Sequence, residues 1–472
     1  AEQETITLCR PNSLKNNFVE TYVYYCATRA LMQANGFEFQ TDFKDEDEKS
    51  AYEKRYDEAY NEYNKSLFTS GYRIYTSIDL KQQQELQNAI DTNLEEFTDL
   101  NDEGIFALQS AGVCIDNETG MTTAIVGGRS QDVSGYTLNR AFQSFRQPGS
   151  SIKPLIVYTP ALEMGYTPDT IVIDEKQEDG PENATGTYSG AITLREAVAA
   201  SKNTIAWQLY SEVTPDKGIQ YLKDLGFSHI EKDDYGMAAC LGGLTVGVSP
   251  LEMAKGYATI FNDGYSRDPS CIEKITDAKG NIIYEMQQEE VEVYKENAAR
   301  TMTDMLQSVL TDGTARGISL GDMPAAGKTG TTNSNRDGWF VGYTKYYTTS
   351  IWVGYDLPKK VPGLTGSSYP ARIWQDYMSA IHEGLVPADF KKPIEYIGTE
   401  EQQENPEENS DEDSDEEPYG VFDEENPEEI DGSPGYQVIT QTFEGTEIPE
   451  GAIPDNATDV RITTTTESVV EE

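Results

Sequence analysis

The sequence predicts an α+β fold in which a central antiparallel sheet is flanked by helices. Residues 110–116 and 122–126 are strand-like stretches separated by an Asn-Glu-Thr-Gly turn, and this hairpin would supply the first strands of the sheet. Residues 150–320 are mostly helical in pattern. Two further extended stretches, 325–331 and 348–355, follow the helical region. Strands on both sides of a helical middle are therefore the basis of the fold prediction.

The elements before the hairpin are a charged helix, a strand and a second helix. Residues 44–67 carry four tyrosines at helical spacing, namely Tyr52, Tyr56, Tyr60 and Tyr63. This stripe indicates a surface helix that packs its tyrosines on the body, with a partner-binding helix as the alternative. Residues 72–78 alternate like a strand, and Asp79 would cap a helix over residues 80–94.

The helical middle places one polar motif on a loop. Thr193 and Glu196 form a capping box that begins a helix, and this helix would end near Ala200. The sequence Ser201-Lys202-Asn203 would then lie between two helices and could point into a cleft.

The elements after this loop alternate between strand and helix. Residues 268–295 predict a small β-excursion, residues 297–311 a helix, and residues 370–382 a closing helix. Residues 325–331 are rich in small side chains, which suits an edge strand that lines a cleft, because a substrate backbone can lie close to it.

The charge and hydropathy of the sequence limit its partners and its organisation. A formal charge of −46 argues against nucleic acid as a partner. The acidic excess is dense in residues 396–472, which we expect to be a largely disordered, solvated tail, with a cell-wall or partner contact as the alternative. No apolar run is long enough to cross a membrane and no secretory signal opens the sequence, so we expect a processed or excised piece.

Cysteine and histidine usage argues against a metal centre. The five cysteines, Cys9, Cys26, Cys114, Cys240 and Cys271, have no metal-ligand spacing, and we expect buried reduced thiols, with a Cys9–Cys26 bridge as a minor alternative. Two histidines, His229 and His382, make a zinc hydrolase or a Ser-His-Asp triad improbable. The sequence predicts neither a metal nor a cofactor.

Three short motifs carry the chemistry. A Pro-Gly turn followed by an apolar run predicts a helix whose first turn holds Ser150, and Lys153 could place its amine on the same face as the Ser150 hydroxyl. A desolvated lysine can take the proton of a serine nucleophile if its amine is neutral. Ser201-x-Asn203 and Lys328-Thr329-Gly330 follow in that order. Ser-x-x-Lys and Ser-x-Asn are each weak evidence alone and Lys-Thr-Gly is stronger, and the ordered set of three is the signature of penicillin-recognising serine enzymes.

Longer segments extend the likeness. Residues 71–79, 138–141, 146–154, 192–197 and 242–253 resemble those of class A penicillin-binding proteins, as do Lys328–Asn333 and Asp337–Gly342. The resemblance covers roughly residues 71–385, and it implies the transpeptidase fold shared with serine β-lactamases, with an all-helical subdomain.

The resemblance also implies a domain organisation. An N-terminal linker or pedestal with the tyrosine-rich insertion would occupy residues 1–70, the transpeptidase domain residues 71–395, and the acidic tail residues 396–472. The family carries a membrane anchor and a glycosyltransferase domain before the transpeptidase. Neither is visible here, and we expect both in the parent protein.

The same resemblance assigns roles to residues. Ser150 would attack a D-Ala–D-Ala peptide, Lys153 would act as base, Ser201 would relay a proton, and Asn203 would hold the substrate amide. Lys328, Thr329, Gly330 and Thr331 would bind the substrate and its carboxylate, and the backbone N–H groups of Ser150 and Thr331 would form the oxyanion hole. The partners would be peptidoglycan stem peptides, as donor and amine acceptor, and β-lactams, at the extracytoplasmic face of the bacterial membrane.

Two other functions fit the motifs. A D,D-carboxypeptidase or serine β-lactamase shares them, and a β-lactamase would need a glutamate to activate water, for which Glu231 and Glu252 are candidates by position. A non-catalytic β-lactam sensor or scaffold is the third reading, although the intact motifs argue against it.

Overall fold

A computed structural model describes residues 17–40, 43–130 and 138–394. Its centre is a five-stranded antiparallel sheet with the strand order β10-β11-β12-β2-β3. These strands are β2 (Leu108–Asp116), β3 (Thr122–Val126), β10 (Ala326–Thr331), β11 (Asp337–Tyr343) and β12 (Tyr347–Tyr355). The predicted hairpin and edge strand are confirmed, and the hairpin joins the late strands through the pairing of β2 with β12.

Helices cover both faces of this sheet, which explains why its strands are buried almost throughout. Helices α3 (Leu80–Asn93) and α11 (Tyr369–Ile381) pack on one face, where Trp374 meets Phe340. Helix α9 (Pro250–Phe261) packs on the other face, where Tyr257 meets Tyr343. Asp79 caps α3 as predicted, by accepting from the N–H groups of Lys81 and Gln82.

The region between the two parts of the sheet is mainly helical, as predicted. Its helices are α4 (Arg140–Gln143), α5 (Thr159–Glu163), α6 (Leu194–Ala199), α7 (Asn203–Val213), α8 (Pro215–Asp224) and α10 (Glu296–Thr311). The region also contains a hairpin that the sequence analysis missed, in which β4 (Ile171–Asp174) pairs with β5 (Gly190–Thr193). The helical subdomain is therefore not purely helical.

Small sheets connect this region to the N-terminal part. Strand β1 (Arg73–Thr76) pairs with β7 (Ile272–Thr276), and β7 pairs with β8 (Ile282–Glu285). Strands β6 (Tyr265–Ser266) and β9 (Val291–Glu292) form a separate pair. The predicted β-excursion is confirmed.

Two N-terminal helices pack beside this body. Helix α1 (Phe18–Ala34) contacts β3, β7 and β8, and helix α2 (Glu46–Leu67) lies against α1. The tyrosine stripe of α2 faces this contact, with Tyr60 near Tyr25 and stacked on Tyr56. The prediction of a stripe that packs on the body is confirmed. No helix within the three described ranges is long and apolar enough to cross a bilayer.

The cysteine prediction is confirmed for four residues, since Cys26, Cys114, Cys240 and Cys271 are buried free thiols. Cys9 lies outside the described residues, and so does the predicted acidic tail from residue 396.

Candidate active site

The Ser150 segment begins a helix, but not the regular α-helix that the sequence predicted. A 3₁₀ turn spans Gly149–Ile152, a π-helical turn spans Pro154–Tyr158, and α5 follows. The hydroxyl and the N–H of Thr159 both engage the Pro154 carbonyl, which lengthens the turn. Ser150 and Lys153 remain one turn apart, because the Lys153 N–H donates to the Ser150 carbonyl.

Two glycines bring this turn against strand β10. Gly149 has a φ of +55°, and a Cβ there would lie 2.7 Å from the Thr331 carbonyl oxygen. A Cβ on Gly330 would lie 2.3 Å from the Pro148 carbonyl oxygen. Since such distances exclude a side chain, only glycine lets the two backbones approach this closely. The approach brings Gly149, the residue before Ser150, against the backbone of Thr331.

The two adjacent serines have different surroundings. The Ser151 hydroxyl is buried and donates to the Pro148 carbonyl oxygen over 2.7 Å. Ser150 as a whole residue is only half-buried. Ser150 is therefore the better placed of the two to meet a substrate.

The Ser201 loop follows the end of helix α6. The Thr193–Glu196 capping box that starts this helix is present as predicted. At its end, the N–H of Ser201 donates to Val198 O and the N–H of Lys202 donates to Ala197 O, which is the Schellman pattern. Ser201 occupies the left-handed position of that motif with a φ of +57°, where glycine is usual. A serine there costs about 1 kcal/mol of backbone strain.

Two buried lysine amines meet at Ser201. The Lys153 amine donates to the Ser201 carbonyl oxygen over 2.9 Å and to Asn203 Oδ1 over 2.8 Å. The Lys328 amine donates to Ser201 Oγ over 2.8 Å. The structure thus gathers residues of all three motifs, and it places the Lys153 amine against the Ser201 loop.

Burial lowers the pKa of both lysine side chains. Burial lowers the pKa of Lys153 to about 7, since the low-dielectric surroundings disfavour the ammonium form. Burial and, secondarily, the positive charge of Lys153 lower the pKa of Lys328 well below its usual value. A lysine that is partly neutral near pH 7 can accept a proton from a serine.

Strand β10 presents the third motif beside this pair. The Thr329 hydroxyl is hydrogen-bonded to the Thr314 hydroxyl at 2.7 Å, and the Thr331 hydroxyl accepts from the Gly366 N–H at 2.9 Å. Thr314 was not foreseen, because nothing in its local sequence links it to Thr329. The Thr331 hydroxyl only accepts in this contact, so its O–H can still donate to a carboxylate.

Neither glutamate considered for a β-lactamase is placed with the lysines. Both oxygens of Glu252 are engaged at the start of α9, one by Ser249 and the other by Ser228. Glu231 lies at the start of a 3₁₀ turn, where it takes part in a local capping box. Asp174 and Asn183, which the sequence analysis did not single out, instead contact the Ser201 loop.

Comparison with known proteins gives a consistent result. The model of the penicillin-binding protein transpeptidase domain matches residues 110–379. Penicillin-binding protein 1F of Bacillus subtilis is 36% identical over 343 residues, covering 70% of this chain and 46% of that protein. Penicillin-binding protein 1A of Neisseria meningitidis is 37% identical over 303 residues, covering 61% of this chain and 37% of that protein. The chain thus spans about half the length, or less, of these relatives.

A solved structure agrees with the sequence relatives. The structure of PonA1 from Mycobacterium tuberculosis in complex with penicillin V has a TM-score of 0.64 and 25% identity. The match covers 79% of this chain and 96% of that one. The transpeptidase fold predicted from the motifs is therefore confirmed, and the chain belongs to the penicillin-binding protein transpeptidase family.

Proposed function

We propose that this chain is a D,D-transpeptidase that cross-links peptidoglycan stem peptides and is trapped by β-lactams. The observation that carries the proposal is the convergence of two buried lysine amines on Ser201, one of which belongs to Lys153, one helical turn from the half-buried Ser150. Membership of the family supports a serine acyl-transfer reaction. The D-Ala–D-Ala terminus is the proposed donor.

Acylation begins at Ser150. Its Oγ attacks the carbonyl carbon between the two D-alanines, and Lys153 accepts the hydroxyl proton. The oxyanion lies between the N–H groups of Ser150 and Thr331, each of which is worth about 3 kcal/mol in such a site. The backbone approach at Gly149 and Gly330 supports this pairing.

Breakdown of the tetrahedral intermediate breaks the C–N bond. The departing D-alanine amine takes a proton from the Ser201 hydroxyl, and Ser201 is reprotonated with the proton that Lys153 accepted from Ser150. Asn203 holds the substrate amide, and Lys328, which donates to Ser201 Oγ, binds the terminal carboxylate with Thr329, Gly330 and Thr331. An amine of a second stem peptide then attacks the acyl carbon, the bond from that carbon to Ser150 Oγ breaks, and the proton lost by the amine returns to Ser150.

The setting of this reaction is also part of the proposal. We place residues 71–395 in the transpeptidase domain, residues 1–70 in a linker and pedestal, and residues 396–472, which lie outside the described residues, in an acidic tail. In the parent protein, a membrane anchor and a glycosyltransferase domain precede this chain and hold it at the outer face of the bacterial membrane. The matched region covers only about half of each of these curated relatives, which supports a longer parent.

Intact mass after brief treatment with benzylpenicillin tests the proposal. The wild type should gain one stable penicilloyl group, Ser150→Ala should gain none, and Ser151→Ala should still be labelled because its hydroxyl faces Pro148. Unlabelled but folded wild-type protein would overturn the proposal. Continuous hydrolysis of nitrocefin would favour a β-lactamase instead, and release of D-alanine from a pentapeptide without cross-linking would favour a carboxypeptidase.

A further inference from the structure

A buried carboxylate lies behind the Ser201 loop. Asp174, the last residue of β4, is fully buried and none of the three motifs contains it. One of its oxygens lies 2.6 Å from the Lys202 amine, and the other accepts from the Thr204 hydroxyl over 2.7 Å and from the Asn183 amide over 2.6 Å. The carboxylate thus binds the residues on both sides of Asn203.

Asn183 extends this contact to the backbone of the loop. Its Oδ1 accepts from the Asn203 N–H over 2.8 Å, while its Nδ2 donates to Asp174. The side chain of Asn203 is oriented by the same segment, since its Nδ2 donates to the Glu182 carbonyl oxygen over 2.9 Å. With the Nδ2 of Asn203 committed there, only Oδ1 can face the Lys153 amine.

The contacts of Asp174 and Asn183 with the loop offset the backbone strain at Ser201. Ser201 holds a left-handed backbone in which a side chain is unfavourable, so the loop needs support from outside itself. The support comes from the β4–β5 hairpin, in which one Asp174 oxygen accepts from the Ser189 N–H over 2.8 Å and lies 2.6 Å from the Lys202 amine. These partners keep the carboxylate ionised and hold its pKa below the usual range, against the effect of burial.

We infer that Asp174 is a positioning residue for acylation, which keeps the Ser201 carbonyl and Asn203 Oδ1 at hydrogen-bonding distance from the Lys153 amine. It acts through Lys202, Thr204 and Asn183, without touching the substrate. The inference rests on the proposed function of the site. It predicts that loss of the carboxylate changes the reactivity of Ser150 in molecules that are still folded.

The test measures acylation by a fluorescent penicillin over a range of concentrations and pH. The second-order rate constant reports on each folded molecule, whereas the labelling amplitude reports on how many molecules are folded. Asp174→Asn should lower the rate constant at least about tenfold, the scale for losing hydrogen bonds to a charged group. The midpoint of the pH dependence of this rate constant should also move downward. The Ser201 carbonyl oxygen and Asn203 Oδ1 would move away from the Lys153 amine, and its ammonium form would lose their stabilisation.

Two variants make the result specific. Thr204→Val removes one contact to the carboxylate while keeping the side-chain shape, and it should lower the rate constant severalfold even if Asp174→Asn does not fold. Asp304→Asn is the matched control, since Asp304 pairs with Arg195 on α6 away from the Ser201 loop. Its rate constant and pH midpoint should stay within about twofold of the wild type.

The outcomes separate the inference from the function on which it rests. If the wild type takes no label, the proposed function fails. If the wild type is labelled, but Asp174→Asn and Thr204→Val show a lower labelling amplitude with an unchanged rate constant, then Asp174 only supports folding and the inference is overturned. A lower rate constant together with a shifted midpoint, absent in Asp304→Asn, supports it.

Discussion

The two walls of the candidate active site are built by different means. One wall is strand β10, whose position is set by main-chain hydrogen bonds to β11 from Ala326 to Thr331. The other is the Ser201–Asn203 loop, whose position is set by the Schellman end of α6 and by side chains of Asp174 and Asn183. A wall that is held by main-chain hydrogen bonds should tolerate most side-chain substitutions, but not an added atom that pushes the two backbones apart. A wall held by side chains should respond to single polar substitutions.

The largest effect should come from obstructing the sheet wall. In Gly330→Ala the added Cβ would lie 2.3 Å from the Pro148 carbonyl oxygen, so the turn that carries Ser150 must move away from β10. We expect acylation by penicillin to fall at least about 100-fold, since the oxyanion pair separates. The free energy of unfolding should fall by about 1–3 kcal/mol.

Gly236→Ala is the control for this change. Gly236 has a φ of −122°, and a Cβ there would meet its nearest atom at 3.8 Å. This variant should keep the acylation rate and the melting temperature. Normal acylation by Gly330→Ala would mean that the close approach of the two backbones is dispensable.

On the loop wall, substitution of Ser201 should lower the acylation rate without lowering the stability of the fold. Ser201→Gly removes the strain of the left-handed backbone and also the hydroxyl that accepts from the Lys328 amine. We expect acylation to fall about 100-fold, at the lower end of the range for a lost proton-transfer group. Thermal unfolding should show no loss of stability relative to the wild type.

Ser201→Ala completes that comparison. It lacks the same hydroxyl but keeps a Cβ in the left-handed region, so it should match Ser201→Gly in acylation while being about 1 kcal/mol less stable. Equal stability of the two variants would show that the loop does not constrain Ser201 to this backbone conformation.

The pH dependence should report on the lysine between the walls. Because the pKa of Lys153 is lowered to about 7, its neutral fraction grows as the pH rises through 7. The acylation rate constant of the wild type should therefore rise about tenfold per pH unit below the midpoint and level off above it. A rate constant that is flat between pH 5 and 9, with the fold intact by circular dichroism, would exclude Lys153 as the titrating base.

The two walls also differ in how far the sequence could foresee them. The motif Lys328-Thr329-Gly330 lies in a run of small residues that predicts an edge strand, and the structure has that strand. The Thr193–Glu196 capping box predicted where α6 begins, and hence that Ser201 follows its end. Both predictions depend on residues that are close in sequence, where spacing alone decides which groups meet.

The parts that were not foreseen depend on distant or compensated interactions. The hairpin of β4 and β5 brings Asp174 against Lys202 and Thr204, and its strands have little apolar alternation by which the sequence could predict them. A serine at the left-handed end of α6 contradicts the usual preference for glycine, and only the contacts of the neighbouring residues explain it. The regular helix expected after Ser150 was wrong for a different, local reason, since the Thr159 N–H and hydroxyl both donate to the Pro154 carbonyl oxygen and lengthen the turn.

The smallest effect should come from the residue that joins the two walls. The Thr314 N–H donates to the carbonyl oxygen of Ala199 at the end of α6, and its hydroxyl bonds to that of Thr329 on β10. Thr314→Val keeps the backbone link and the shape but removes the hydroxyl, leaving the Thr329 hydroxyl without this partner. We expect a two- to fivefold fall in the acylation rate constant, as for one neutral hydrogen bond of about 0.5–1 kcal/mol.

Thr314→Ser, which keeps the hydroxyl, should restore most of that loss. If it does, the sheet wall also depends on one side-chain contact, and the distinction between the walls is one of degree. If Thr314→Val acylates like the wild type, the main-chain pairing of β10 with β11 is sufficient to hold Thr329, and the two walls differ in kind.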